Sequence, residues 1–179
     1  MSEQPGRYQR SVSGLVGALA VLLLVITAYL TFRALNRDEL VVEPDSVDYL
    51  DAVGFAQDAG RDVVYPRSLP AGWQATSVES PNERTWGIGF LTPDGFAGVH
   101  QSGRSLPDIL EIYVDEDTEE LDPVRIDSAV ADRWGAYTDE GGDLAYVAEV
   151  GEEWVVVYGS AGRGDLTTLA EALTTDPVE

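Results

Sequence analysis

The chain has 179 residues and a formal net charge of −21; from Asp38 onward, seven arginines stand against 31 aspartates and glutamates, a formal charge of −24. Because such a surface repels phosphate groups and has no basic stripe, nucleic-acid binding is excluded. The chain has no cysteine, which excludes disulfides, thiolate nucleophiles and zinc–thiolate sites.

The first predicted element is a membrane-spanning helix from Ser11 to Phe32. These 22 residues carry no charge, and as a helix they would span about 33 Å, the thickness of a bilayer's hydrocarbon core. A cleaved signal peptide is the alternative, but the small-residue site Ala18-Leu19-Ala20 lies inside the apolar run. We therefore expect an uncleaved, single-pass anchor in the lipid bilayer of the cell membrane.

Arginines flank this helix equally, so their charge alone does not set its orientation: Arg7 and Arg10 precede it, and Arg33 and Arg37 follow it. The short N-terminal tail is typical of signal anchors, which favours a cytoplasmic N-terminus and an extracytoplasmic domain. The oligomeric state stays open. The predicted organisation is a cytoplasmic tail at 1–10, a transmembrane helix at 11–32, a juxtamembrane linker at 33–44 and one acidic domain at 45–175.

The acidic domain is predicted to begin with an amphipathic helix. Asp45 or Ser46 is placed to cap it, and Gly60 is placed to end it. The apolar residues between them recur with helical spacing, at Tyr49, Ala52, Val53 and Ala56.

A hairpin is predicted next, after an extended stretch that leads to Trp73 at the start of a strand. In the strand from Thr85 to Thr92, bulky residues alternate with Gly87 and Gly89, which leaves one bare face. Such a face indicates that a neighbouring group packs closely against it. A Pro-Asp-Gly turn and a strand from Phe96 to Gln101 complete the hairpin.

The second half of the domain is predicted to hold more strands and a final helix. Alternating apolar residues predict a strand from Asp108 to Asp115. One bent strand or two short ones follow within 124–138, and strands at 144–150 and 154–158 form a second hairpin. Because Val155 to Val157 are apolar on both faces, we expect the last strand at the centre of the sheet.

The chain ends in an amphipathic helix from Asp165 to Leu173, with Asp165 as its predicted cap. This helix needs an apolar partner surface, which the sheet provides. The predicted fold class is therefore α+β: a mainly antiparallel sheet of about six to eight strands, with the preceding amphipathic helix and the C-terminal helix packed on it.

Two segments resemble ligand loops without matching them. In the acidic run from Asp115 to Asp122, Glu120 stands where an EF-hand loop needs glycine, and Ile126 where it needs glutamate. A solvated loop between strands is the favoured interpretation. The glycine-rich segment at 159–164 has neither the Walker nor the dinucleotide-binding order, which favours a flexible connector. No metal site and no cofactor are predicted.

His100 is the only histidine of the chain, so a metal site or a catalytic triad would have a single imidazole. The sequence has no G-x-S-x-G motif to supply a serine nucleophile. We interpret His100 as an ordinary surface or edge-strand residue and predict that the protein is not an enzyme, with no catalytic residue. A hydrolase built around His100 and an acidic partner is the enzymatic alternative.

The four tryptophans recur at strand positions, which favours core packing. The alternative is that they line a ligand cavity, because aromatic side chains give large contact areas with a polar tip. They are Trp73, Trp86, Trp134 and Trp154.

Six short segments, spread over nearly the whole chain, form a recognisable set of motifs: Leu69 to Ser77, Thr85 to Pro93, Val99 to Ser102, Asp132 to Trp134, Val157 to Ser160 and the helix from Leu166 to Leu173. Together with the N-terminal membrane helix, they resemble the actinobacterial membrane proteins grouped as domain of unknown function 4245. The resemblance implies a membrane location and an actinobacterial source. It brings no assigned activity, catalytic residue or cofactor.

The anchor, the acidity and the missing catalytic set together predict a non-enzymatic, membrane-anchored envelope protein. We expect its domain to bind another envelope protein or a wall component without catalysis. The alternative, suggested by the tryptophans, is a carrier or sensor that holds a small apolar ligand between sheet and helix.

Overall fold

A computed structural model describes residues 12–35 and 45–178. The chain divides into two units, Met1–Glu43 and Pro44–Glu179. The predicted tail at 1–10 lies outside the described residues, as does most of the predicted linker.

The first unit contains one described helix, α1 (Val12–Leu35), of 24 residues. Its apolar part, Gly14–Phe32, has a mean hydropathy of 2.5. The helix is long and apolar enough to cross a membrane, a test that an N-terminal signal sequence also passes. It continues past Phe32 into the first residues of the predicted linker.

The second unit is the predicted α+β domain. Its helices are α2 (Tyr49–Asp58), α3 (Leu106–Tyr113) and α4 (Gly162–Ala172). Its strands are β1 (Tyr65–Pro66), β2 (Gln74–Asn82), β3 (Thr85–Thr92), β4 (Gly95–Ser102), β5 (Glu119–Arg125), β6 (Arg133–Thr138), β7 (Leu144–Val150), β8 (Glu153–Gly159) and β9 (Leu173–Thr174). Seven of the strands form an antiparallel sheet with the order β2-β3-β4-β8-β7-β6-β5. The two-residue strands β1 and β9 form a separate pair, which joins the stretch after α2 to the C-terminus.

Strand β8 lies in the middle of the sheet, as the sequence predicted. Val155, Val156 and Val157 have 0% of their surface exposed, because helices cover both faces of this strand. Both predicted hairpins are confirmed: β3 pairs with β4, and β7 pairs with β8. The region 124–138 holds one complete strand, β6, and only the last two residues of β5, so it is neither one bent strand nor two short ones.

The larger core lies between one face of the sheet and helices α2 and α4. It joins Val53 of α2 and Leu166 and Leu169 of α4 to Trp86 and Phe90 of β3. Full burial of side chains of this size contributes about 1.5–3 kcal/mol each. On the opposite face, a smaller cluster packs helix α3 against β7 and β8.

Helix α3 corrects the strand predicted from Asp108 to Asp115. The apolar residues of this segment alternate, but four of them also lie at i, i+3, i+4 and i+7 and form a helical stripe. The Oγ of Ser105 accepts a hydrogen bond from the Asp108 backbone N–H at 3.4 Å, and a proline occupies the first turn. The helical stripe consists of Leu106, Ile109, Leu110 and Tyr113.

Two helix starts also differ from prediction. Asp48, rather than Asp45 or Ser46, caps α2, and Gly60 follows its end with a φ of 80°. Helix α4 begins at Gly162, so the segment predicted as a flexible connector forms a strand end and the first helical turn. Asp165 is not the cap; its carboxylate accepts a hydrogen bond from Thr92 Oγ1 at 2.8 Å.

The acidic run connects α3 to β5, and its last residues belong to β5 rather than to a loop between strands. Strand β5 lies at the edge of the sheet, next to β6. Charged side chains at such an edge discourage pairing with another chain.

Candidate functional site

His100 lies buried under helix α3, so the prediction of a surface or edge residue is wrong. It is 3% exposed and belongs to β4, the third of seven strands. Its Nε2 lies 2.6 Å from the Tyr113 hydroxyl, and the two ring centroids are 4.3 Å apart. The physical reason is that Tyr113 lies on a helix rather than on the predicted strand, and this helix places its ring over the imidazole.

The bare face of β3 is filled by neighbouring side chains, as predicted. Gly87 is the cross-strand partner of His100, and a Cβ at this glycine would overlap Nδ1 and lie 2.8 Å from Cε1 of the imidazole. A Cβ at Gly89 would lie 2.6 Å from Ser77 Oγ and 3.1 Å from the Phe96 ring. The glycines therefore make room for side chains of this domain and leave no cavity there.

Four rings form what we call the aromatic row, which continues from His100 across the sheet. Tyr113 lies 4.9 Å from Tyr158, and Tyr158 lies 5.9 Å from Phe96, between ring centroids. Gly98 lies beneath Tyr158, where a Cβ would be 2.9 Å from the phenol ring. Gly87 and Gly98 thus leave the space in which the rings of His100 and Tyr158 pack against the sheet.

Burial keeps the aromatic row uncharged at neutral pH. It lowers the pKa of His100 from 6.5 to about 4 and raises the pKa of Tyr113 to about 12. Burial, with Tyr113 second, also raises the pKa of Tyr158. Because an efficient general acid or base has a pKa near the working pH, this arrangement suits packing better than proton transfer.

Two of the four tryptophans are core residues, as the sequence favoured. Trp86 is 2% exposed and Trp134 is 0% exposed. Each indole N–H donates to a backbone carbonyl at 3.0 Å. Trp73 and Trp154 are half-buried and pack at the margins of the two cores. Trp73 borders a depression of about 390 Å³ beside the start of α2.

A larger cavity, of about 910 Å³, opens at one end of the sheet. We call it the sheet-end cleft. Three segments that are distant in sequence form its walls, and Gln101 of β4 adds a buried amide. The wall segments are 59–62 after α2, 83–84 in the β2–β3 turn and 150–153 in the β7–β8 turn.

Charges of both signs line the sheet-end cleft without pairing with one another. Among residues 45–178, the salt bridge that forms joins Arg67 to Asp176, outside the cleft. The charged residues of the cleft are Arg61, Asp62, Glu83, Arg84, Glu152 and Glu153.

Arg61 is held in place by three neighbours. Its guanidinium donates to Ser80 Oγ at 2.6 Å and to the Thr85 carbonyl at 3.1 Å. It also lies 5.9 Å from the centroid of the Trp86 ring, within the range of a cation–π contact. These three contacts hold the Arg61 guanidinium in one position at the wall of the cleft.

Gln101 fixes a second charged group of the cleft, the Glu153 carboxylate. Its Oε1 accepts from the Val64 backbone N–H at 2.8 Å, and its Nε2 donates to the Asp62 carbonyl at 2.9 Å. The same Nε2 donates to Glu153 Oε2 at 2.7 Å. Both the oxygen and the nitrogen of the Gln101 amide are thus hydrogen-bonded within the domain, and the amide holds the Glu153 carboxylate in place.

No local pattern in the sequence predicts this cleft. Arg61 and Arg84 each stand in an ordinary turn, and only the scarcity of arginine in so acidic a domain marks them. Within the described part of the chain, no group of three or more histidine, aspartate or glutamate side chains is arranged to hold a metal ion.

Comparison with known proteins gives one family. A family model described as "protein of unknown function (DUF4245)" matches residues 7–173. No curated protein and no solved structure matches the chain significantly. The match covers helix α1 and nearly all of the domain, so the resemblance noted in the sequence is confirmed at the level of the family.

Proposed function

The chain belongs to the DUF4245 family of proteins of unknown function, and on that premise we propose that it is a non-enzymatic binding module of the cell envelope. Helix α1 anchors it in an actinobacterial cell membrane, with the acidic domain outside the cytoplasm. The domain binds an envelope protein or a wall component through the sheet-end cleft.

The observation that carries this proposal is the contrast between the cleft and the rest of the domain. Both faces of the sheet are packed, and the glycine face is filled by the aromatic row. The sheet-end cleft, by contrast, is open and presents charges that find no ionic partner within the described domain, two of them, on Arg61 and Glu153, held by hydrogen bonds. Fixed polar groups around a concave surface are typical of binding sites.

The position of the only histidine supports binding without chemistry. His100 does not line the cleft, and its imidazole is occupied by Tyr113. The cleft offers carboxylates and guanidinium groups, but no histidine or cysteine as nucleophile or base.

Site-specific photocrosslinking in intact cells tests the binding surface. Benzoylphenylalanine is introduced into the full-length protein at Glu83 or Glu152 in the cleft, and at Glu140 or Thr168 as exposed control positions elsewhere. We expect one dominant adduct from both cleft positions and none from the controls. Adducts that are absent, or equal at all four positions, would contradict the proposal.

The missing cysteines make the orientation directly testable. A single cysteine at Glu140→Cys should react with a membrane-impermeant maleimide in intact cells, whereas one at Ser2→Cys should react only after permeabilisation. The reverse labelling pattern would place the domain in the cytoplasm.

A further inference from the structure

We propose that the sheet-end cleft takes a short zwitterionic peptide, with its carboxylate toward the arginines and its ammonium group toward the carboxylates of the β7–β8 turn. This inference rests on the proposed function, because it names the ligand class for the same cleft. The peptide is either free or attached to the cell wall, since both sources share this chemistry.

The arginine side of the cleft suits a carboxylate. The Arg61 guanidinium is already immobilised by Ser80, Thr85 and Trp86, so little side-chain entropy is lost when an anion binds it. A guanidinium has further N–H groups, and its planar fork matches a carboxylate in a bidentate pair.

Arg84 adds a second positive charge to this side. Its side chain is exposed, and no hydrogen bond or ion pair ties its guanidinium to residues 45–178. The group lies over Gly103, where a Cβ would be 2.7 Å from Nε and 2.8 Å from Cζ. Glycine at this position therefore leaves the space that the guanidinium occupies.

The β7–β8 turn of the cleft suits an ammonium group. Glu153 is half-buried, and the Gln101 amide holds its carboxylate at 2.7 Å. Glu152 precedes it in the same turn and is exposed. The carboxylates of this turn form no ion pair with Arg61 or Arg84, so a ligand ammonium group does not compete with an internal cation.

The balance of charges favours a ligand with both signs. An anion alone would approach a domain whose formal charge from Asp38 onward is −24, and repulsion would weaken its binding. A purely cationic ligand would leave Arg61 and Arg84 without an ionic partner. The volume of about 910 Å³ lies at the upper end of the range for small-molecule sites, which fits a peptide better than a single amino acid.

Calorimetric titration of the full-length protein in detergent micelles tests the ligand class. The probes are alanine peptides of two to four residues in four forms: free at both ends, acetylated, amidated, or blocked at both ends. We expect the free peptides to bind, and either block to weaken binding by about tenfold or more, because hydrogen bonds to charged groups contribute this much.

Matched variants test whether the arginines bind the ligand carboxylate and the β7–β8 turn binds the ligand ammonium group. Arg84→Gln should weaken binding of the free peptides about tenfold and leave the amidated forms unaffected, whereas Glu152→Gln should spare the acetylated forms. Arg125→Gln and Glu140→Gln replace exposed charges outside the cleft and serve as controls. Equal binding of charged and blocked peptides would overturn the proposal, and so would equal effects of all four substitutions.

The two proposals fail in different ways. If the cleft positions crosslink to a cellular partner but no alanine peptide binds, the ligand class is wrong and the binding surface stands. If the peptides bind but the cleft gives no adduct in cells, the proposed envelope partner is wrong. Cosedimentation with purified cell-wall sacculi, weakened by Arg84→Gln but not by Arg125→Gln, would assign the peptide to the wall rather than to a free pool.

Discussion

Lowering the pH from 7 to 5 should destabilise the domain through its single histidine. The imidazole of His100 is 3% exposed and lies between the β3 backbone and the ring of Tyr113. Its burial lowers the pKa from 6.5 to about 4, so the folded state binds this proton less readily than the unfolded state. Protonation therefore favours unfolding.

The size and the pH window follow from the two pKa values. The stabilisation from the neutral imidazole is fully present above the unfolded pKa of 6.5, decreases as the pH falls, and is lost near pH 4. Each pH unit in this window corresponds to about 1.4 kcal/mol, which gives about 2 kcal/mol down to pH 5 and about 3 kcal/mol in total. Domains of this size have unfolding free energies of only about 5–15 kcal/mol.

Urea unfolding of the full-length protein in detergent micelles, followed by tryptophan fluorescence, measures the effect at pH 7, 6 and 5. The control is His100→Gln, whose amide can still hydrogen-bond with Tyr113 but does not titrate. Between pH 7 and 5 we expect the wild type to lose about 2 kcal/mol more than the variant. Because all carboxylates are common to both proteins, their titration cancels in this difference.

The reasoning is refuted if the two proteins lose stability in parallel. Since His100 is the only histidine, its imidazole signals in an NMR titration are unambiguous. A measured pKa near 6.5 would show that burial does not disfavour the charged ring.

Three substitutions test the packing, with the free energy of unfolding as the measurement. Gly87→Ala should cost about 1–3 kcal/mol, because its Cβ would overlap the His100 imidazole; the control Gly54→Ala, in helix α2 with open space around it, should be neutral or stabilise by about 1 kcal/mol. Equal effects of the two would argue against a filled glycine face. Leu169→Ala should cost about 2–5 kcal/mol, since this side chain is 1% exposed. Arg67→Ala should cost less than about 1 kcal/mol, because both partners of its ion pair are more than half exposed; a larger loss than that of Leu169→Ala would contradict the assigned core.

The elements that the sequence predicted well have strong and unambiguous local patterns. Thr85 to Thr92 alternates bulky residues with glycine, a pattern that fits a strand but not a helix. Val155 to Val157 place apolar branched side chains on both faces, which is favourable only at the centre of a covered sheet. Helix α1 follows likewise from a long uncharged apolar run.

The element that was predicted wrongly has a pattern that fits two periods. Over the eight residues of α3, the apolar positions satisfy alternation and helical spacing at once, and Ser105 with its following proline was the local signal for a helix. A strand at this position would not place Tyr113 over His100. The same ambiguity therefore concealed the burial of the histidine.

The sequence by itself determined the apolar helix, the central strand, the glycine face and the acidity of the domain, because composition and hydrophobic periodicity are local properties of the chain. Only the tertiary structure decided that His100 is buried and that a cleft exists at the end of the sheet. The cleft brings Arg61, Arg84, Gln101 and Glu153 together from four separate segments. Each of them is an ordinary turn or strand residue in its own surroundings, and strand pairing, which depends on contacts distant in sequence, places them around one space.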